Sequence, residues 1–274
     1  MQLKKYVLSS LVALGLALTV PLSARADATS GAIAEADILP GWRAPDGTHI
    51  AALRIRLQDG WKTYWRAPGD AGIPPRLDWG YSGNLAGARI TWPTPVVFDQ
   101  NGMRSIGYKN EVILPLAVTP KRDGRAVKLR GALDIGVCKD ICVPQHLKVR
   151  ATLPADVTTR DARIAAALAE RPFSAGEAGV QTMRCRIAPT PKGLSLSLEI
   201  DMPSSGAPEV AVVETGLSGV WVAEAKTRRS GGTLFAETRM QHVAGEPFML
   251  DRSALRVTVI GRKHAVDIRG CSAR

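Results

Sequence analysis

Cys138 and Cys142 are two thiols with Lys139, Asp140 and Ile141 between them. Sulfurs this near in sequence can close a disulfide, swap it with another dithiol, or hold a soft metal ion. The backbone decides among these. Val127–Ile135 ahead and Val143–Arg150 behind both read as β-strand, so the pair sits at the shoulders of a hairpin turn. Facing Cα atoms at a non-hydrogen-bonded antiparallel pair lie about 4.5 Å apart, within disulfide range. A loop this short is already nearly closed, so bridging it removes little chain entropy. A bond that contributes little to stability is easier to exchange.

The metal alternative uses His146. Cys138, Cys142 and His146 are spaced four and four, and on a helix they would form one thiolate–imidazole face suited to Cu(I) or Zn(II). Val143-Pro144 is a poor helix interior. On a strand, Cys142 and His146 share a face but stand about 13 Å apart. Exchange is therefore the favoured reading, with no cofactor and no metal assigned. A non-enzymatic metal-binding or adaptor protein using these three residues is the alternative. His49, His242 and His264 are isolated along the chain. Exchange needs a thiolate and an accessible sulfur. Lys139 favours the thiolate of its neighbour and Asp140 opposes it, so local charge does not say which cysteine attacks.

The other two cysteines, Cys185 and Cys271, flank strand-like runs. A bond between them ties the first strand of a C-terminal unit to its last, worth about 4–5 kcal/mol in the chain-entropy model. This is read as a structural disulfide.

The chain starts with Lys4-Lys5, an apolar run over Val7–Val20, and a small-x-small exit at Ala24-Arg25-Ala26. That is the pattern of a secretory signal peptide over residues 1–26, cleaved near Ala26. The mature chain of 248 residues is then expected in an oxidising compartment, where disulfides persist. Its charge is +8, the full chain's +11 less Lys4, Lys5 and Arg25. The basic residues are scattered and not interleaved with aromatics, which argues against nucleic acid. Hydrolase and phosphate-loop patterns are missing; Gly69-Asp70-Ala71-Gly72 lacks the following Lys-Ser/Thr.

The elements that must position the cysteines are strands. Leu53–Leu57 alternates apolar and basic, and Leu194, Leu196, Leu198 and Ile200 alternate with polar residues, so each run buries one face. Pro115 within Val112–Val118 points to an edge strand or bulge. Thr158–Asp161 caps a helix through Ile164–Leu168, and Pro172 ends it. The fold class is all-β: a sandwich or barrel over residues 31–154 in tandem with an immunoglobulin-like β-sandwich over 179–274, joined by a short helical linker over 155–178. Trp61, Tyr64, Trp65, Trp79 and Trp92 serve either the core or a docking surface.

Five stretches together resemble a known family. They are Trp61-Lys-Thr-Tyr64-Trp65-Arg-Ala-Pro68-Gly69-Asp70-Ala71-Gly72-Ile-Pro74-Pro75, Ile90-Thr-Trp92-Pro93, Gly107-Tyr108, Val112-Ile-Leu-Pro115 and Cys138-Lys-Asp-Ile-Cys142-Val-Pro144. The combination is similar to the N-terminal periplasmic domain of the thiol:disulfide interchange protein DsbD, closer to the form in suppressor-of-copper-sensitivity B proteins. The resemblance implies an immunoglobulin-like domain whose cysteine pair, here Cys138 and Cys142, takes electrons from a membrane-embedded thiol carrier. It passes them to thioredoxin-fold periplasmic proteins, a protein-disulfide reductase activity with a link to copper tolerance. By analogy Cys142 forms the mixed disulfide and Cys138 resolves it. A cap loop shielding the pair falls at Phe98–Met103, with Phe98, Asp99, Met103 and Tyr108 as its cap and docking residues. The chain departs from the family in its three-residue cysteine spacing and in lacking a central cap aromatic flanked by acids. Electrons from the membrane are expected through a separate chain.

Overall fold

The computed structural model describes residues 32–70, 72–100 and 103–273. The expected signal peptide lies outside the described residues, as do Asn101 and Gly102 of the expected cap. Ten strands fill the N-terminal half: β1 (Ala34–Arg43), β2 (His49–Leu57), β3 (Lys62–Tyr64), β4 (Arg76–Asp78), β5 (Leu85–Ile90), β6 (Val96–Gln100), β7 (Met103–Lys109), β8 (Glu111–Pro120), β9 (Val127–Cys138) and β10 (Cys142–Leu153). They form a sheet ordered β1-β2-β8-β5 and a second ordered β10-β9-β3-β7-β6, with β4 also on β9. Trp65, Leu53, Leu114, Leu116, Leu129 and Leu133 are fully buried in the core of this sandwich.

The C-terminal half repeats the plan with different strands. Helix α1 (Ala162–Ala169) is followed by β11 (Phe173–Ser174), β12 (Thr182–Thr190), β13 (Gly193–Asp201), β14 (Val210–Glu214), β15 (Val220–Val222), β16 (Lys226–Ser230), β17 (Thr233–His242), β18 (Arg256–Ile260), β19 (Ala265–Arg269) and β20 (Ser272–Ala273). One sheet runs β11-β19-β18-β14 and the other β15-β17-β13-β12-β20. The alternation in β13 does what its spacing demands: Leu196, Leu198 and Ile200 are buried against Leu234, Val257 and Val266.

Helix α1 is capped by Asp161, whose carboxylate accepts the Arg163 backbone N–H at 2.9 Å. Ile164 and Leu168 pack on Leu39, Trp42 and Ala52 of the N-terminal sheet, so the helix lies on that sandwich. Its alanines supply propensity, and Ile164 supplies the buried contact.

Pro115 breaks an expectation. Strand β8 is interior, between β2 and β5, not at an edge. The reason lies in where β5 ends. The Pro115 carbonyl accepts from Thr91 N–H at 2.8 Å, so its missing N–H faces the β5 side. Pairing there stops at Ile90–Leu116, one step short of it. The proline leaves no ladder bond unmade.

The described residues cluster as one compact unit. Arg66 crosses between the sandwiches: its guanidinium donates to Glu214 at 2.9 Å and to Thr258 Oγ1 at 3.1 Å, and stacks on Trp65. Arg104 of β7 pairs with Glu224. A cleft of about 530 Å³ opens beside these contacts, lined in part by Leu217 and Trp221. Among the described residues no helix is long and apolar enough to cross a membrane, which says nothing of membrane β-barrels.

Candidate functional site

The hairpin forms as its sequence asks. Cys138 ends β9, Cys142 begins β10, and the two are direct register partners with Cα atoms 4.1 Å apart. They are joined by a disulfide. The Lys139 N–H reaches the Ile141 carbonyl at 3.1 Å to close the turn. Pro144 is tolerated because β10 is the terminal strand of its sheet.

Burial splits the pair. Cys138 is 1% exposed, while Cys142 is exposed and follows Ile141, which is 67% exposed at the turn. A thiolate from another protein therefore has access to the Cys142 side of the bond, and attack there makes Cys138 the leaving group.

Next to the buried sulfur is Tyr64, which the sequence offered only as one of five aromatics for the core or a docking surface near the cysteines. The Tyr64 hydroxyl lies 2.7 Å from Cys138 Sγ and 3.4 Å from Cys142 Sγ. Neither sulfur of a closed bridge carries a proton, so the hydroxyl donates. Burial pushes the Tyr64 phenol above its usual value, which keeps the proton in place. Gly136 makes the approach possible. A Cβ there would meet the Tyr64 ring and Ile73 at 3.0 Å.

Strand register extends the site across the sheet. Cys142, Cys138, Lys62 and Lys109 are directly opposed in one row, and opposed residues point to the same face. Lys62 is 5% exposed and donates to Ser105 Oγ at 3.1 Å. Phe98 lies over both lysines, its ring centre 4.8 Å from Lys62 Nζ and 5.2 Å from Lys109 Nζ. Burial, then the charge of Lys109, lowers the Lys62 pKa.

The expected cap is a hairpin of β6 and β7, and what its Phe98 covers is this lysine pair. Asp99 and Met103 are exposed; Asp99 meets Arg104 at 3.5 Å. Tyr108 is not with them. It faces the core, opposite Thr63, and its hydroxyl donates to the Pro93 carbonyl at 2.9 Å. Its docking role has no support in this placement, since adjacent strand positions face opposite ways. Trp65 belongs to the core as well. Among the described residues no cluster of three or more His, Cys, Asp or Glu side chains has metal-binding geometry. His146 instead places Nδ1 2.5 Å from its register partner Asp134, away from both sulfurs.

Cys185 and Cys271 form the second disulfide, 86 residues apart. Cys185 is buried in the C-terminal core and Cys271 packs against that core.

The signal for Tyr64 was its position in Lys62-Thr63-Tyr64, a polar–polar–aromatic step whose residues are all buried in a three-residue strand. A basic residue at a fully buried strand position is unusual enough to mark a site.

Residues 35–154 match the family described as thiol:disulfide interchange protein DsbD, N-terminal. No curated protein matches the chain in sequence. Among solved structures, the chain is similar to the N-terminal periplasmic domain of ScsB from Proteus mirabilis, at 19% identity and a TM-score of 0.65. That match covers 88% of this chain and 92% of the other, so the shared fold takes in sheets from both halves of the chain.

Proposed function

We propose, from the match of residues 35–154 to the DsbD N-terminal family, that this chain is a thiol–disulfide exchange protein of the periplasm. It carries electrons from a membrane-embedded thiol carrier in a separate chain to thioredoxin-fold proteins, as a protein-disulfide reductase. The two sandwiches are read as immunoglobulin-like domains, with the redox pair in the first.

The exchange balances without a cofactor. A donor thiolate attacks Cys142 Sγ; the Cys138–Cys142 bond breaks, and Cys138 leaves as a thiolate on the Tyr64 hydroxyl. The donor's second thiolate then attacks the mixed disulfide and releases Cys142. Two electrons have entered and the donor leaves oxidised. Toward a client the steps reverse: Cys142 attacks the client disulfide, and Cys138 displaces the reduced client. Exposed Val96, Ile141 and Ile73 give an apolar rim suited to a partner's surface.

The observation that carries this reading is the asymmetry of one bridge, with one sulfur buried on a hydroxyl and the other at an exposed turn. The test is trapping. Cys138→Ser, mixed with a thioredoxin-fold protein lacking its own resolving cysteine, should accumulate a mixed disulfide through Cys142. Cys142→Ser should accumulate far less. Equal trapping by both variants, or by neither, counts against the reading. The Cu(I) alternative predicts stoichiometric metal uptake by the reduced protein; the His146–Asp134 contact favours exchange over it.

A further inference from the structure

Lys62 is an uncommon residue to bury in a three-stranded step beside a disulfide. Its Cα is paired with that of Cys138 on one side and Lys109 on the other. Opposed side chains in such a row start about 4.5–5.5 Å apart at Cβ, so the lysine stem rises directly beside the cysteine. Its ammonium rests toward β7 and β6, donating to Ser105 Oγ at 3.1 Å under Phe98, on a long flexible stem that can swing back over the row. The ring of Phe98 holds two cations at once, Lys62 and Lys109.

We infer that Lys62 is the charge that tunes the couple: its ammonium stabilises the thiolate that Cys138 bears once the bridge opens. This rests on the exchange function proposed above and deepens it. When a donor thiolate attacks Cys142, the electron pair of the broken S–S bond stays on Cys138. That negative charge appears in a buried position directly opposite Lys62 in the strand register, with the Tyr64 hydroxyl 2.7 Å from the sulfur. Leaving groups that are better stabilised as thiolates leave faster, and a couple whose reduced form is stabilised is more oxidising.

The other charges around the row are placed as follows. Lys109 on β7 adds to the positive field. Lys139 and Asp140 sit in the turn and oppose each other. Asp134 and His146 lie four residues further along β9 and β10 and bind each other. Asp99 on β6 and Arg104 on β7 alternate with Phe98 and Ser105 and so point to the opposite face. The groups opposed to Cys138 along its row are thus cations. Lys62 is already depressed by burial and by Lys109, so an anion arriving at Cys138 relieves it. Linkage is reciprocal: reduction raises the Lys62 titration midpoint as Lys62 lowers that of Cys138.

The experiment equilibrates the full chain with glutathione buffers and quantifies the Cys138–Cys142 bond by alkylation. Lys62→Met is expected to lower the equilibrium constant for reduction about tenfold, which makes the couple about 30 mV more reducing. Lys62→Arg restores it to within about threefold. A change in Lys62→Met smaller than threefold, or one that Lys62→Arg does not reverse, overturns the inference. Should Lys62→Met fail to fold, the parent itself decides: the Lys62 midpoint, followed by NMR at Cε, must rise when the bridge is reduced, and an unmoved midpoint overturns the inference. If the parent bridge never equilibrates while the protein stays folded, the exchange function and the inference fall together. If the parent equilibrates and Lys62→Met leaves its potential unmoved, only the role of Lys62 falls.

Discussion

Two disulfides in one chain invite comparison. Cys138–Cys142 closes a turn of three residues, and its partner strands are already paired along their length. Cys185–Cys271 closes a loop of 86 residues and fastens β12 to the end of the chain, next to β20. The bond chemistry is the same. What differs is how much freedom each bond removes and who can reach its sulfurs. A local bridge on a preformed hairpin, with one sulfur at an exposed turn, can open without loosening the fold; a bridge that spans 86 residues cannot.

The largest effect that could break this contrast is on stability. Replacing Cys185 and Cys271 with alanine should cost about 4–5 kcal/mol, against about 2 kcal/mol or less for the hairpin pair, by the loop-length dependence of chain entropy. Urea titration of the two double variants measures both; equal losses would erase the distinction. Mass spectrometry after mild glutathione should in turn find alkylated Cys138 and Cys142 with Cys185–Cys271 intact.

Gly136→Val probes whether the hairpin site has a fixed shape. The new side chain meets Tyr64 and Ile73, and overpacking of this kind costs about 1–3 kcal/mol. The variant should lose stability in urea and also change its rate of reduction by a dithiol, while Cys185–Cys271 is unaffected. Tyr64→Phe is subtler. It removes a hydrogen bond to a sulfur that becomes anionic, a kind worth about 1.5–3 kcal/mol. Stopped-flow reduction should slow by roughly tenfold, the rate equivalent of about 1.4 kcal/mol, with the urea midpoint nearly unchanged. An unaltered rate would remove the hydroxyl from the mechanism.

The smallest expected effect separates the two sandwiches by pH. His49 is fully buried in the N-terminal one, with Nε2 2.6 Å from the Pro40 carbonyl. Burial lowers its pKa, the Pro40 contact opposes this, and Arg43 adds a further lowering. A neutral buried histidine resists protonation that the unfolded chain accepts. Its contribution is therefore intact above the ordinary value of about 6.5 and is lost as pH falls from there through the folded value. Urea midpoints at pH 7.5 and 5.5 should differ, and His49→Gln should reduce the difference.

Elements with strong local patterns were legible in the sequence. The alternation in Leu194–Ile200, the cap and stop of α1, and the hairpin around Cys138–Cys142 all rest on residues near one another in the chain. Pro115 misled because a ladder's need for its N–H depends on where β5 ends, some 25 residues away. Tyr64 and Lys62 were visible only as members of a motif. The Tyr64 contact with Cys138, and the place of Lys62 opposite it, exist because β3 is inserted between β9 and β7, a register that spans more than 70 residues and leaves no periodic trace. Tyr108 failed for the complementary reason: shifting one position along β7 turns a side chain from the cysteine face to the core.

Arg104 sits near the start of the strand facing Phe98, yet its guanidinium is shared between Asp99 on the same hairpin and Glu224 on the other sandwich. A fragment ending before Glu224 keeps the arginine and loses that tether. Redox kinetics measured on such a fragment would describe a hairpin anchored at one fewer point, so preparations with and without Glu224 are different specimens for any study of how Phe98 sits over the lysines.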